Sequence, residues 1–172
     1  MQRPVSVTVI ASLGVVGGLF LVASALFTAV FVADPAGVYG WLSEKPYYKA
    51  QEYDKQLMDI LTTDPITRIA TGIQGAFFGV LGLLLLIGSR KLLRLEEQGR
   101  RLVLGFALVW LIFEGASLVA DQLYYAPMRA ALGIPPSQGY GVPLDIVYAL
   151  VVLYVLTRPA IKGAMHRVAA VQ

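Results

Sequence analysis

VSVTVIASLGVVGGLFLVASALFTAVFVA, residues 5–33, runs for 29 residues without one ionisable side chain. About 20 consecutive apolar residues are enough for a helix to cross the hydrocarbon core of a bilayer. A cleaved signal peptide is the rival interpretation, because Arg3 precedes the run. A signal core is only about 7–15 residues long, and residues 31–33 (FVA) make a poor cleavage site. We therefore predict a retained transmembrane helix.

Three further apolar runs follow, at residues 66–88, 102–120 and 143–157. Asp64 and Pro65 open the second run as an N-cap and a first helical residue. Every backbone amide in lipid needs a partner, so each run is expected to be a helix. The last run is the shortest and is expected to gain length beyond Thr157.

These runs predict an all-α fold, a four-helix transmembrane bundle, as one membrane domain over residues 1–172. The loops between the spans are then an outer loop at 34–65, an inner loop at 89–101 and a second outer loop at 121–142. Residues 158–172 form a tail. Short amphipathic helices are predicted within 46–62 and 127–132, either capping the bundle or forming a docking surface.

Basic residues indicate the orientation, because Lys and Arg accumulate in short cytoplasmic loops. Nine of the 14 basic residues fall in the N-terminus, the inner loop and the tail. They are Arg3, Arg90, Lys91, Arg94, Arg100, Arg101, Arg158, Lys162 and Arg167. The pattern predicts that both ends are cytoplasmic (N-in, C-in) and that these charges bind anionic lipid headgroups.

Composition excludes several classes of function. Hydrophobic residues make up 57% of the chain and charged residues 15%, there is no cysteine, and His166 is the only histidine. Thiolate chemistry and the usual zinc sites are therefore excluded. No phosphate-binding loop, zinc-protease or serine-hydrolase motif occurs. We predict no catalytic residues, no metal, no cofactor and no nucleic-acid partner, and we interpret Glu96 and Glu97 as solvated charges.

Glycines recur at helical spacing on the first two spans. In lipid, small residues let helices approach closely, and G-x-x-x-G is a common packing motif. Packing within one chain and homodimerisation both fit the pattern. The predicted helix-packing residues are Gly14, Gly18, Gly72, Gly75, Gly79 and Gly82.

Polar side chains concentrate in the predicted outer half of the spans. Such residues are costly in lipid and usually face the protein interior. A rise of about 1.5 Å per residue places Glu114 and Gln74 at similar depths, and pairing of Arg68 with a carboxylate would satisfy its charge. The predicted cluster consists of Arg68, Thr71, Gln74, Glu114, Ser117, Asp121, Asp145 and Tyr148. A structural network that fixes helix register and an outward-facing ligand pocket both remain open.

Two short stretches carry a resemblance. Residues 3–11 (RPVSVTVIA) followed by Gly17-Gly18, and residues 154–162 (YVLTRPAIK), resemble the beginning and the end of small, uncharacterised bacterial four-pass membrane proteins. The resemblance implies a bacterial inner-membrane location and no site residues.

The leading functional hypothesis is a non-catalytic membrane subunit, an accessory or scaffold component that assembles with other membrane subunits or with itself. The alternative is a small-ligand- or lipid-binding membrane protein, or a transporter, that uses the outer polar cluster. A membrane enzyme is the third hypothesis, and it would need its acid–base pair from Glu114, Asp121 or Asp145.

Overall fold

The computed structural model describes residues 4–45, 63–120, 122–123, 127 and 144–169, with side chains omitted at 144, 145 and 166–169. The principal helices of this part of the chain are α1 (Val5–Ala33), α2 (Pro35–Ser43), α3 (Pro65–Leu93), α4 (Glu97–Ala120), α5 (Leu144–Leu156) and α6 (Pro159–Ala169). No strand occurs among the described residues, so the all-α class is confirmed. The helix predicted within 46–62 lies outside the described residues, as does all but residue 127 of the one predicted at 127–132.

Three helices, α1, α3 and α4, are long and apolar enough to cross a membrane. The bounds of α1 are those expected from its sequence. Helices α5 and α6 would supply a fourth crossing only if the bent pair counted as one span, and the two are inclined by 69°. Four spans and the N-in, C-in orientation therefore stay predictions.

The start of α3 is capped as its sequence predicts. The backbone N–H groups of Ile66 and Thr67 donate to the Asp64 carboxylate at 3.1 and 3.2 Å. The Thr67 hydroxyl also donates to that carboxylate. This hydroxyl hydrogen bond, supported by the one from Ile66, lowers the pKa of Asp64.

The helices on either side of the predicted inner loop at 89–101 extend into it. Helix α3 continues to Leu93 and α4 begins at Glu97, which leaves a turn of residues 94–96. Lys, Arg and Leu are good helix formers, and Leu92 is fully buried, so α3 does not end where its apolar run ends. Leu95 adopts a left-handed φ of 59° to reverse the chain.

The fourth apolar run does not continue beyond Thr157 as one straight helix. Helix α5 ends at Leu156, and the chain turns before α6 begins at Pro159. Proline lacks a backbone N–H and clashes with a preceding turn of helix. A straight continuation through residue 159 is therefore disfavoured.

Helix α2 is an element that the sequence analysis did not predict. Asp34 caps it by accepting a hydrogen bond of 3.0 Å from the backbone N–H of Gly37. At its other end, the Lys45 ammonium lies 4.5 Å from the centre of the Trp41 ring. Tryptophan favours membrane–water interfaces because one end of its ring system is apolar and the other polar.

The chain divides into two compact units. One consists of Met1–Val15 and Ile87–Gln172, and the other of Val16–Leu86. In the first unit the buried apolar side chains come from the N-terminal segment and from the second half of the sequence. They include Val7, Ile10, Leu92, Val103, Phe106, Trp110, Val152, Leu156 and Met165.

The second unit is held by what we call the glycine seam, formed by Gly18, Gly75, Gly79 and Gly82. A Cβ atom placed on Gly82 would lie 2.9 Å from Leu21 Cβ and 3.0 Å from the Gly18 carbonyl oxygen. One placed on Gly75 would lie 2.6 Å from a Thr28 methyl group. The helices therefore approach more closely than any residue with a Cβ atom would allow.

The residue numbers in contact increase along α1 as they decrease along α3, so the two helices run antiparallel. These are the contacts that packing within one chain requires. Of the two other predicted packing glycines, Gly14 is buried. Gly72 faces Val32, with 3.7 Å between an added Cβ and the valine methyl group.

Candidate functional site

Arg68 joins the two helices of the second unit at the end where α1 finishes. Its Nε donates to the Val32 carbonyl at 2.6 Å, and its Nη2 donates to the Ala33 carbonyl at 2.9 Å. The last carbonyls of a helix have no intrahelical partner and carry partial negative charge. Where the sequence suggested a carboxylate partner, the structure gives Arg68 the C-terminal carbonyls of α1.

Two other members of the predicted cluster, Thr71 and Gln74, follow Arg68 on α3. The Thr71 hydroxyl donates to the carbonyl of Thr67, one turn back on its own helix. Gln74 is exposed, whereas the sequence analysis placed it inside the bundle. The prediction took the polarity of Gln74 within a span to mean a place inside the bundle.

Glu114 and Ser117 are both half-buried and lie three residues apart on α4. Spacing of three places them on one face, as predicted. Asp121 and the side chain of Asp145 lie outside the described residues.

Tyr148 lies in the second turn of α5 and contacts α1. Its hydroxyl donates to the Ile10 carbonyl at 3.2 Å, in the N-terminal part of α1. Helix α5 has only 13 residues, so it is about 20 Å long. Tyr148 lies about 6 Å from the beginning of that helix and about 12 Å from its end at Leu156.

A second polar group, which we call the arginine staple, consists of Glu97, Arg100 and the Leu156 carbonyl. Arg100 is buried at 9% exposure. Its Nε donates to Glu97 Oε2 at 2.8 Å and its Nη2 donates to Oε1, while Nη1 donates to the Leu156 carbonyl at 3.2 Å. One guanidinium thus joins the first turn of α4 to the last turn of α5.

The staple corrects the interpretation of Glu97 as a solvated charge. Only 23% of its side chain is exposed, and Arg101 adds a second hydrogen bond at 3.3 Å. Glu97 and Arg100 precede the apolar run of α4, which begins at Leu102. The Arg100 hydrogen bonds, with support from Arg101 and against the effect of burial, lower the pKa of Glu97 to about 2.

The sequence contains one indication of the staple, an acidic and a basic residue three positions apart, Glu97 and Arg100. Such a pair is common on exposed helix surfaces, where it contributes little. What distinguishes this pair is burial beneath the end of α5, which the spacing alone does not indicate.

The chemistry available to these groups is binding and orientation. No group of three or more potential metal ligands occurs in the part of the chain that the structure describes. Arg68 and Arg100 both have helix-terminal carbonyls as partners, and Arg100 is also neutralised by Glu97. Of the two, Arg68 retains more hydrogen-bonding capacity, because only two of its five N–H donors have partners among the described residues.

These features define the class of the molecule: an all-α, multi-pass membrane protein. Comparison of the chain with protein-family models, with curated proteins and with solved structures finds no match.

Proposed function

We propose that the chain is a non-catalytic integral membrane subunit, an accessory or scaffold component of a larger membrane protein complex. The location proposed is a bacterial cytoplasmic membrane, which the chain would cross four times with both ends inside. The observation that carries the subunit proposal is the exposed amide of Gln74.

The depth of Gln74 gives that exposure its meaning. Residues 69–89 of α3 contain no ionisable side chain, and Arg68 and Arg90 flank them. The two arginines are about 33 Å apart along the helix, close to the ~30 Å hydrocarbon thickness of a bilayer. Gln74 then lies about 9 Å inside the hydrocarbon, where an amide without a partner is costly.

The same face of α3 is covered farther along. Leu81 and Leu85, at i+7 and i+11 from Gln74, are exposed by only 4% and 2%. Ala70, one turn before Gln74, is exposed like Gln74 itself. A face that is buried at one end and open at the other, with an amide in the open part, suits a helix from a partner subunit.

The partner proposed is a transmembrane helix with a hydrogen-bonding side chain at the depth of Gln74. Interhelical hydrogen bonds in membranes contribute about 0.6–2 kcal/mol each. That is enough to select a partner and its register when apolar packing supplies the rest of the affinity.

Native mass spectrometry of tagged protein, extracted gently from its own membrane, tests the proposal. We expect a defined complex with another polypeptide, and a smaller assembled fraction for Gln74→Leu. Ile73→Leu is the matched control, because Ile73 is a neighbouring exposed residue that points elsewhere on the helix. Recovery of the chain only alone, or only with copies of itself, contradicts the proposal.

A photo-crosslinking residue at position 74 gives a second measurement. Crosslinks to another polypeptide from position 74 and not from position 73 support the proposed face. Crosslinks to lipid alone contradict it.

The orientation has its own test, since the chain contains no cysteine. A single cysteine at Gly40, where an added Cβ meets nothing within 4 Å, is expected to react with a membrane-impermeant maleimide in intact cells. A single cysteine at Glu96 is expected to react only after lysis. The reverse result contradicts the N-in, C-in proposal.

A further inference from the structure

An apolar groove, which we call the Gly72 groove, runs between α1 and α3 in the second unit. Its volume is about 270 Å³. Small residues form its floor, among them Ala29, Gly72 and Ala76, and Leu26 and Leu83 stand at its edges. No ionisable side chain lines it.

The groove is better suited to an acyl chain than to a helix. The seam glycines that would let another helix approach are already in contact within the chain: Gly75 with Thr28, and Gly79 with Ala25. What remains is a channel beside the seam, whereas a helix with its side chains is about 10–12 Å across. Because the edge residues Leu26 and Leu83 are exposed on membrane-spanning helices, the solvent that enters the groove is lipid.

One end of the groove carries a positive charge. Arg68 precedes Gly72 by one helical turn and Ala76 by two, so all three share a face of α3. The guanidinium is held at Val32 and Ala33, and Ala33 follows the groove residue Ala29 by one turn on α1. It therefore lies just beyond the end of the groove, with donors left over for an anion.

A second apolar groove offers an internal contrast. It has a volume of about 470 Å³, is lined by residues that include Phe27, Val30 and Trp41, and carries the Asp34 carboxylate. Asp34 lies among its lining residues, whereas the Gly72 groove has a guanidinium at its end. A negatively charged headgroup is therefore favoured at the Gly72 groove and disfavoured at the groove that carries Asp34.

From the Gly72 groove and its charged end, we propose that this chain binds an anionic phospholipid. One acyl chain lies in the groove beside Gly72 and Ala76, and the phosphate accepts hydrogen bonds from the Arg68 guanidinium. Arginine suits this role because its planar fork of donors matches phosphate oxygens. The site does not depend on the proposed function, since Gln74 lies on the opposite face of α3.

The test uses the full chain in nanodiscs of phosphatidylcholine with about one-tenth phosphatidylglycerol, followed by native mass spectrometry. We expect the wild-type chain to retain phosphatidylglycerol above its share of the bilayer. Arg68→Gln is expected to reduce that retention roughly tenfold, as loss of a charge-assisted contact implies. Arg101→Gln is the charge-matched control, because 76% of the Arg101 side chain is exposed.

The control separates a built site from general charge attraction. Equal loss of phosphatidylglycerol from Arg68→Gln and Arg101→Gln overturns the proposal, as does full retention by Arg68→Gln. Arg68 also closes the end of α1, so this variant has to match the helical content of the wild-type chain by circular dichroism.

A second pair of variants keeps the proposal testable if Arg68→Gln does not fold. Ala76→Leu fills the groove and leaves Arg68 in place, and Ala70→Leu makes the same change at an exposed position of α3 outside the groove. We expect loss of phosphatidylglycerol from Ala76→Leu only. Equal retention by the two variants overturns the proposal.

Discussion

The glycine seam and the arginine staple join helices by opposite physical means. In the glycine seam of Val16–Leu86, the absence of side chains lets the backbones of α1 and α3 approach closely. The contacts there are dispersion contacts. The arginine staple of the other unit inserts a charged side chain between α4 and α5 and satisfies it with a carboxylate and a carbonyl. The seam therefore responds to added volume and the staple to lost hydrogen bonds.

Gly82→Leu is expected to produce the largest effect, because the seam has no room for a Cβ atom. The neighbouring atoms are the Gly18 carbonyl and Leu21 Cβ, which move only if the backbone moves. We expect a loss of about 3 kcal/mol in the free energy of unfolding, at the upper end for overpacked cores. Unfolding in mixed micelles, followed by circular dichroism, measures it.

Gly105→Leu is the matched control for that substitution. Gly105 also lies in a helix, α4, and a Cβ placed there meets nothing within 4 Å. Its expected change is small, because leucine has the higher helix propensity. Equal destabilisation by the two variants shows that the seam contributes nothing specific.

The second prediction concerns the staple. Arg100→Leu leaves the Glu97 carboxylate and the Leu156 carbonyl without this donor, and unpaired polar groups of this kind cost about 1–3 kcal/mol. We expect a loss of about 2 kcal/mol, smaller than that at the seam because Glu97 is only partly buried. Arg101→Leu removes the neighbouring, exposed charge and is expected to cost less than about 0.5 kcal/mol. Similar losses in both variants contradict the staple.

How far the sequence determines these two regions differs for a physical reason. The spacing of glycines 75, 79 and 82 places them on one face of a helix and predicts a packing surface there, although it fits packing within the chain and homodimerisation equally. The staple does not follow from spacing, because the burial of Arg100 depends on where α5 ends.

Gln74 shows a different limit of sequence reasoning. Its place in a span and its polarity are visible in the sequence, and the inference that it needs a hydrogen-bond partner follows from those two facts. Those facts do not show whether the partner belongs to the same chain or to another one. A hydrogen bond from either partner removes the same cost of an exposed amide in lipid.

The third prediction follows from the pKa of Glu97. Its value in the folded protein, about 2, lies below the ordinary value of 4.5. A group with a lowered pKa contributes stability that is fully present above its unfolded pKa and is lost as the pH falls towards its folded pKa. We expect the free energy of unfolding to fall between about pH 4.5 and pH 2, as those two pKa values require.

Arg100→Leu provides the control for the pH series. Without Arg100 the pKa of Glu97 moves back towards its ordinary value, so the decline between pH 4.5 and pH 2 is expected to become shallower. An unchanged slope in the variant assigns the acid sensitivity to other carboxylates.

The smallest effect is expected at Ser89, which belongs to the same unit as the staple. Its side chain is fully buried, and its hydroxyl has no hydrogen-bond partner among the described residues. Replacing an unsatisfied buried hydroxyl with hydrogen removes a desolvation cost and little volume. Ser89→Ala is therefore expected to be neutral or to stabilise the protein by up to about 1 kcal/mol.

Ser6→Ala makes the same substitution at an exposed position of α1 and is the control. Destabilisation by Ser89→Ala alone shows that the hydroxyl is hydrogen-bonded in the membrane and helps to hold α3 in place. In that case the polar contacts that stabilise the first unit extend beyond the staple.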